Sequence, residues 1–360
     1  MYEKELIEIR RKIAEALNMK REQLAQAIAL LDTQKETLAK LVPEDAPEYH
    51  SIMVSLEEGQ GDIYQRSKQL KNAAECYNRM GKHAEVLYQK DHSQYSFLKA
   101  AALYKQAVCF RISINCMIMT PVPRVLKEQE NKVYQLAMHL YKEACRILLD
   151  KARLGSASYK EMMSNCLMDM AVMHGVVGNY KDALECARNA VNMDKDLYDA
   201  ADDKNHSMRV GMHMNTLALI YNLMKNVDMA METLEDAVYA LSEHEQDDPV
   251  QFGITIGRFQ MNLANCYQFS RTEQKQAEPT YLNALANIQA VNEKTGGRFV
   301  LDLISAFQAV GRYYLAKDNR KEAESYLNNG ILLADEAFAK NGQQMFHQLA
   351  EQMRGLINET

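Results

Sequence analysis

The chain has 360 residues, 47% hydrophobic and 25% charged, with 42 Lys and Arg against 48 Asp and Glu for a formal charge of −6. This composition excludes a disordered chain, and its interleaved charges argue against a nucleic-acid partner, which needs a basic face. The seven cysteines are odd in number and never spaced as CxxC, and no apolar run reaches the length of a membrane span, so the expectation is a cytoplasmic protein without a disulfide framework, a zinc site or a membrane partner.

Residues 1–45 read as capping helices that end before Pro43 and Pro47, with Ile9, Ile13, Leu17, Leu24, Ala27, Ile28, Leu31 and Leu38 at mostly helical spacing. A repeat follows at about residues 50–85, where Gly61, Tyr64, Ala73 and Tyr77 alternate a small residue with a ring. Ala107 and Phe110 mark another first helix, and Ala137, Tyr141 and Ala144 its partner. Between them an insertion near 117–125 carries Pro121 and Pro123, which exclude a continuous helix.

From there the period is regular. Ala137, Ala183, Ala230, Ala277 and Ala323 recur at intervals of 46, 47, 47 and 46 residues. Twelve or thirteen residues before the last four stand Ala171, Ala218, Ala264 and Gly311, each followed three residues later by His174, Tyr221, Tyr267 or Tyr314. Apolar or small residues again occupy the positions four and seven after each recurring alanine, from Ala187 and Ala190 to Leu327 and Gly330. Two apolar stripes separated by polar breaks such as Gly178-Asn179 and Lys225-Asn226 describe two helices joined by a tight turn. Small residues at the crossing let the backbones approach while the ring fills the space beside them. Residues 46–340 therefore read as one array of about six helix hairpins, and 341–360 as a closing helix bearing Phe346, Leu349, Met353 and Leu356.

These residues resemble the tetratricopeptide repeat (TPR) family in their small-x-x-aromatic first helix and Ala-x3-apolar-x2-Ala second helix. The segment from Gln276 to Leu285, preceded by Leu263-Ala264-Asn265-Cys266-Tyr267, is most similar to the long repeats of kinesin light chains and their bacterial relatives, which place a proline where Pro279 stands, early in the second helix. The resemblance implies an all-α, right-handed superhelical solenoid of antiparallel hairpins whose first helices line a concave groove. Carried over by position, the groove would present Asn165, Met168, Asp169, Val172 and Gly175; then Asn215, Thr216, Leu219 and Asn222; then Arg258, Met261, Asn262, Asn265 and Gln268; and last Gln308 and Arg312.

The candidate peptide-binding residues are thus Asn165, Asn215, Asn222, Arg258, Asn262, Asn265, Gln268, Gln308 and Arg312. An amide side chain has both a donor and an acceptor, so a ladder of them holds a peptide backbone whatever its sequence, while arginine pairs with a carboxylate. No GxSxG, HExxH, phosphate-loop or kinase signature occurs. Glu57, Glu58 and Asp62 read as a solvated edge, the methionine-rich stretches as core, and His174 as a packed ring. The leading expectation is a non-enzymatic scaffold without a cofactor or metal that holds a protein or peptide segment. The alternatives are a signalling-peptide receptor of the bacterial quorum-sensing type and a self-assembling structural module forming homo-oligomers.

Overall fold

The computed structural model describes residues 3–117, 119–201 and 203–358, apart from the Arg21 side chain, and all secondary structure among them is helical. The chain divides into two compact units, Met1–Asp194 and Lys195–Thr360. In the first lie α1 (Glu3–Leu17), α2 (Leu24–Leu41), α3 (Pro47–Arg66), α4 (Leu70–Lys90), α5 (His92–Ser113), α6 (Glu128–Arg153), α7 (Ala157–Val176) and most of α8 (Tyr180–Ala201). The second holds α9 (Lys204–Leu223), α10 (Val227–Ser242), α11 (Pro249–Phe269), α12 (Ala277–Lys294), α13 (Val300–Ala316), α14 (Arg320–Asn341) and α15 (Gln344–Asn358).

Local chemistry explains the helix boundaries. Asp91, Asp248 and Asn319 accept a backbone N–H from the first turn of α5, α11 and α14, and Pro47 and Pro249 open α3 and α11 at a position where a missing N–H costs nothing. Pro279 is the third residue of α12, within the turn whose N–H groups have no partner inside the helix.

Four of the hairpin turns share one geometry, while the α11–α12 turn ends on an extended Ser270 that donates to Tyr267 at 3.1 Å. Asn179, Asn226 and Asn319 donate their N–H to the carbonyls of His174, Tyr221 and Tyr314 at 2.9–3.0 Å, and Gln69 does the same to Tyr64 at 2.9 Å. The residue just before each donor is left-handed: Gly178 at φ 82°, Lys225 at 60°, Asp318 at 55° and Lys68 at 61°. This is the Schellman closure of a helix, so the ring residue that marks the repeat also supplies the carbonyl that ends its first helix.

The recurring alanines are packing necessities. Ala137, Ala183, Ala230, Ala277 and Ala323 are all fully buried, as are Ala171, Ala218 and Ala264. A Cβ on Gly311 would stand 2.6 Å from Leu327, and one on Gly61 would stand 2.5 Å from the Tyr77 ring. In the first unit α1 and α2 form one apolar cluster with α3 from Tyr49 to Ile63, and α3, α4 and α5 form another. In the second, α15 covers α14 with Phe346, Ala350 and Met353.

Two details depart from the sequence reading. Glu57 is not on a solvated edge: it is 2% exposed and held between Lys35 Nζ at 2.8 Å and the Arg79 guanidinium at 2.9 Å, because α2 and α4 close over α3. The insertion is an extended strap. Met119 is buried where a Cβ on Gly175 would stand, Pro123 lies over Gly178, and Arg124 donates its N–H to Val176 at 2.8 Å and its side chain to Ile114 and Glu130.

Candidate functional site

The face along α9, α11 and α13 gathers most of the candidate amides, because each helix enters its hairpin at the same register. Asn262 Nδ2 donates to Asn215 Oδ1 at 2.8 Å across one repeat of 47 residues. Asn222 turns to the buried Cys266, donating to its sulfur at 3.2 Å; burial pushes that thiol above its usual range, so it stays neutral. Arg258 is already engaged: its Nε and Nη2 meet the two carboxylate oxygens of Asp302 at 2.7 and 2.9 Å, which holds the guanidinium charged and neutralises it locally.

One cavity of about 420 Å³ lies between α11, α12 and α13. Asn262, Asn265, Gln268, Gln308 and Arg312 line it with Met261, Phe269, Tyr281, Ser305, Ala309 and Tyr313. The Tyr281 hydroxyl donates to Gln268 Oε1 at 3.3 Å, and burial raises the pKa of Tyr281 and Tyr313, so both rings stay neutral donors. Phe269 is 65% exposed at the rim.

The remaining polar groups are unspent. Gln308 Nε2 is buried without a hydrogen-bond partner among the described residues, a condition that costs about 1–3 kcal/mol. Arg312 and Asn265 are exposed and have no side-chain partner among those residues. The arrangement can offer a donor from depth, an amide from one wall, a guanidinium from another and an aromatic rim. Such a mixture suits an extended polar segment with an acidic group.

Asn165 belongs to the first unit, half-buried on α7, so the structure does not bring it to this cavity. Its neighbours on α7 are used internally. Asp169 accepts from the Tyr141 hydroxyl at 2.9 Å and pairs with Arg111 at 3.1 Å, and Gly175 is covered by Met119. Sequence reasoning missed Tyr313, Ser305 and Asp302. The α13 stripe of residues 302, 305, 309 and 312 repeats at helical spacing, and following it one turn further toward the N-terminus would have found Asp302.

No protein-family model and no curated protein matches the chain. Solved structures do. BtubC (BKLC) from P. vanneervenii superposes with a TM-score of 0.55 at 18% identity, over 76% of this chain and 93% of that one. The apo form of RapI gives 0.54 at 13% identity, over 98% and 100%. Aspartyl phosphate phosphatase F from Bacillus subtilis gives 0.51 at 18% identity, over 97% and 79%. This is a TPR-like fold. The TPR-like hairpins account for the crossing alanines, the rings and the turns at once, and likeness at these identities carries the fold and no activity.

Proposed function

We propose that the second unit holds an extended segment of a partner protein or peptide along the α9–α11–α13 face, with the cavity between α11 and α13 as its anchor. The observation that supports this most is the buried, unpartnered Gln308 Nε2 beside the unpaired Asn265 and Arg312. A buried donor left unmet gains most from an incoming acceptor, which recovers the roughly 1–3 kcal/mol its burial costs. On this reading Gln308 and Asn265 bond the segment's backbone, Arg312 takes a carboxylate, and Phe269 and Met261 take an apolar side chain. Asn215 and Asn262 exchange their mutual bond for bonds to the next residue. Arg258 stays with Asp302 and bounds the anionic end of the site.

The role is binding, not turnover. Ser305, the hydroxyl at the cavity wall, donates to its own helix at Leu301, and the described residues lining the cavity include no histidine or carboxylate. Aspartyl phosphate phosphatase F is an enzyme by name, and nothing in this cavity extends that activity to the present chain.

A peptide-array screen of the purified chain, repeated with Asn265→Ala/Arg312→Ala, tests the reading. Both residues are free of internal partners, so the variant keeps its melting temperature. Its affinity for selected segments should fall by roughly tenfold to a hundredfold, the effect of losing a hydrogen bond to a charged group of about 1.5–3 kcal/mol. Equal affinity in the two proteins sinks the proposal.

A further inference from the structure

His50 on α3 and His83 on α4 meet through their Nδ1 atoms at 2.9 Å. Their ring centroids are 5.2 Å apart, close to that separation plus two ring radii, so the two nitrogen lone-pair axes point at one another. A metal ion could not sit on this line, because two nitrogen–metal bonds of about 2.0–2.1 Å need about 4 Å between the nitrogens. The contact is therefore an N–H···N hydrogen bond holding one proton. Tyr49 packs edge-on against both rings, at 5.7 and 6.0 Å, and limits their swing.

Such a bridge accepts one further proton and not two. With one added, an imidazolium donates Nδ1–H to a neutral imidazole, a charge-assisted bond stronger than the neutral one. With two, both Nδ1 atoms carry hydrogens that face each other, beside two like charges. We propose that the His50–His83 pair is an acid-released latch that fastens the N-terminal end of α3, and the α1–α2 cluster packed on it, against the C-terminal end of α4.

The position suits that role. The pair joins the first turn of α3 to the C-terminal half of α4, while the Glu57–Arg79 ion pair ties the middle of the hairpin and the Gly61–Tyr77 crossing lies beyond it toward the turn. Opening would thus be a local parting hinged on that crossing. The charged groups around the pair are mixed. Lys90 of α4 with Asp45 and Glu44 of the preceding loop act on His50; Glu57 of α3, Lys35 of α2 and Arg79 of α4 act on His83. Glu48 of α3 and Arg10 of α1 line the adjoining cleft, and Lys99 of α5 is held by Glu85 at 2.7 Å. Burial dominates these charges and lowers the pKa of both rings. The folded values lie below the unfolded one, so the stability is fully present above about pH 6.5 and declines as pH falls below it, and the bridge itself parts only when the second proton is bound.

Amide hydrogen exchange on the full chain at about pH 7.5 and about pH 5, corrected for intrinsic rates, tests the proposal. Residues 47–53 and 83–90 should lose protection on acidification, on the order of tenfold per pH unit below the second protonation, while α11–α14 keep theirs. His50→Gln and His83→Gln, made separately, should each abolish that pH dependence. Ring-nitrogen NMR of the wild type gives a readout independent of the variants' folding, and two separated titration steps are expected. Flat protection in the wild type, acid loosening that persists in both variants, or two rings titrating independently at ordinary values would each overturn it.

Discussion

The α7 face of the first unit and the α11–α13 face of the second are built from the same set of repeat positions and differ in which polar groups they pair internally. On α7, Asp169 is spent on Arg111 and Tyr141, and Gly175 lies under Met119 of the strap. On α11 and α13, Asn265 and Arg312 have no partner among the described residues, and Gln308 buries a donor unmet. One register can therefore carry paired or unpaired polar groups, depending on whether the neighbouring helix supplies the complementary group.

The largest expected effect lies on the stability side of this contrast. Asp169→Ala leaves the mostly buried Arg111 guanidinium without its carboxylate and should cost about 3–5 kcal/mol in chemical denaturation. Arg312→Ala, at the same kind of surface in the second unit, should change stability by less than about 0.5 kcal/mol. Similar losses in both would mean that the two faces do not differ in how their charges are held.

Next comes the scaffold common to both faces. Ala230→Leu forces extra methylenes into a fully buried crossing and should destabilise by about 1–3 kcal/mol, read as a shift in denaturation midpoint without a change of slope. A neutral result would mean that the crossing has slack that the geometry denies.

The smallest effect sharpens the binding side. Asp302→Ala removes a half-exposed ion pair worth about 0–1 kcal/mol, so the fold persists. It releases Arg258, and peptides carrying two acidic residues should then gain affinity over those carrying one. If the preference stays put, Arg258 does not border the site.

The hairpins were legible in the sequence because their causes are local and repeated. Ala137 to Ala323 recur since a larger side chain cannot enter the crossing, and Tyr221 or Tyr314 marks the turn because its carbonyl closes the helix. What a side chain pairs with is set by another helix, and that was not legible. Arg258 looked free until Asp302, nearly two turns before the positions the resemblance names on α13, came beside it. Likewise Gly175 looked like open groove because nothing in Pro121-Val122-Pro123 foretells that Met119 folds onto it. Glu57 looked solvated because the lysine and arginine that bury it lie 22 residues away on either side, on α2 and α4.

The proposed binding requires that a ligand satisfy Gln308. The most direct measurement is the side-chain amide NMR resonance of Gln308, assigned by Gln308→Glu and followed while an array-selected segment is titrated in. Binding at this face should give a saturable shift of this amide together with that of Asn265, with Asn165 of the first unit unmoved. Saturated binding that leaves the Gln308 amide where it was would contradict it.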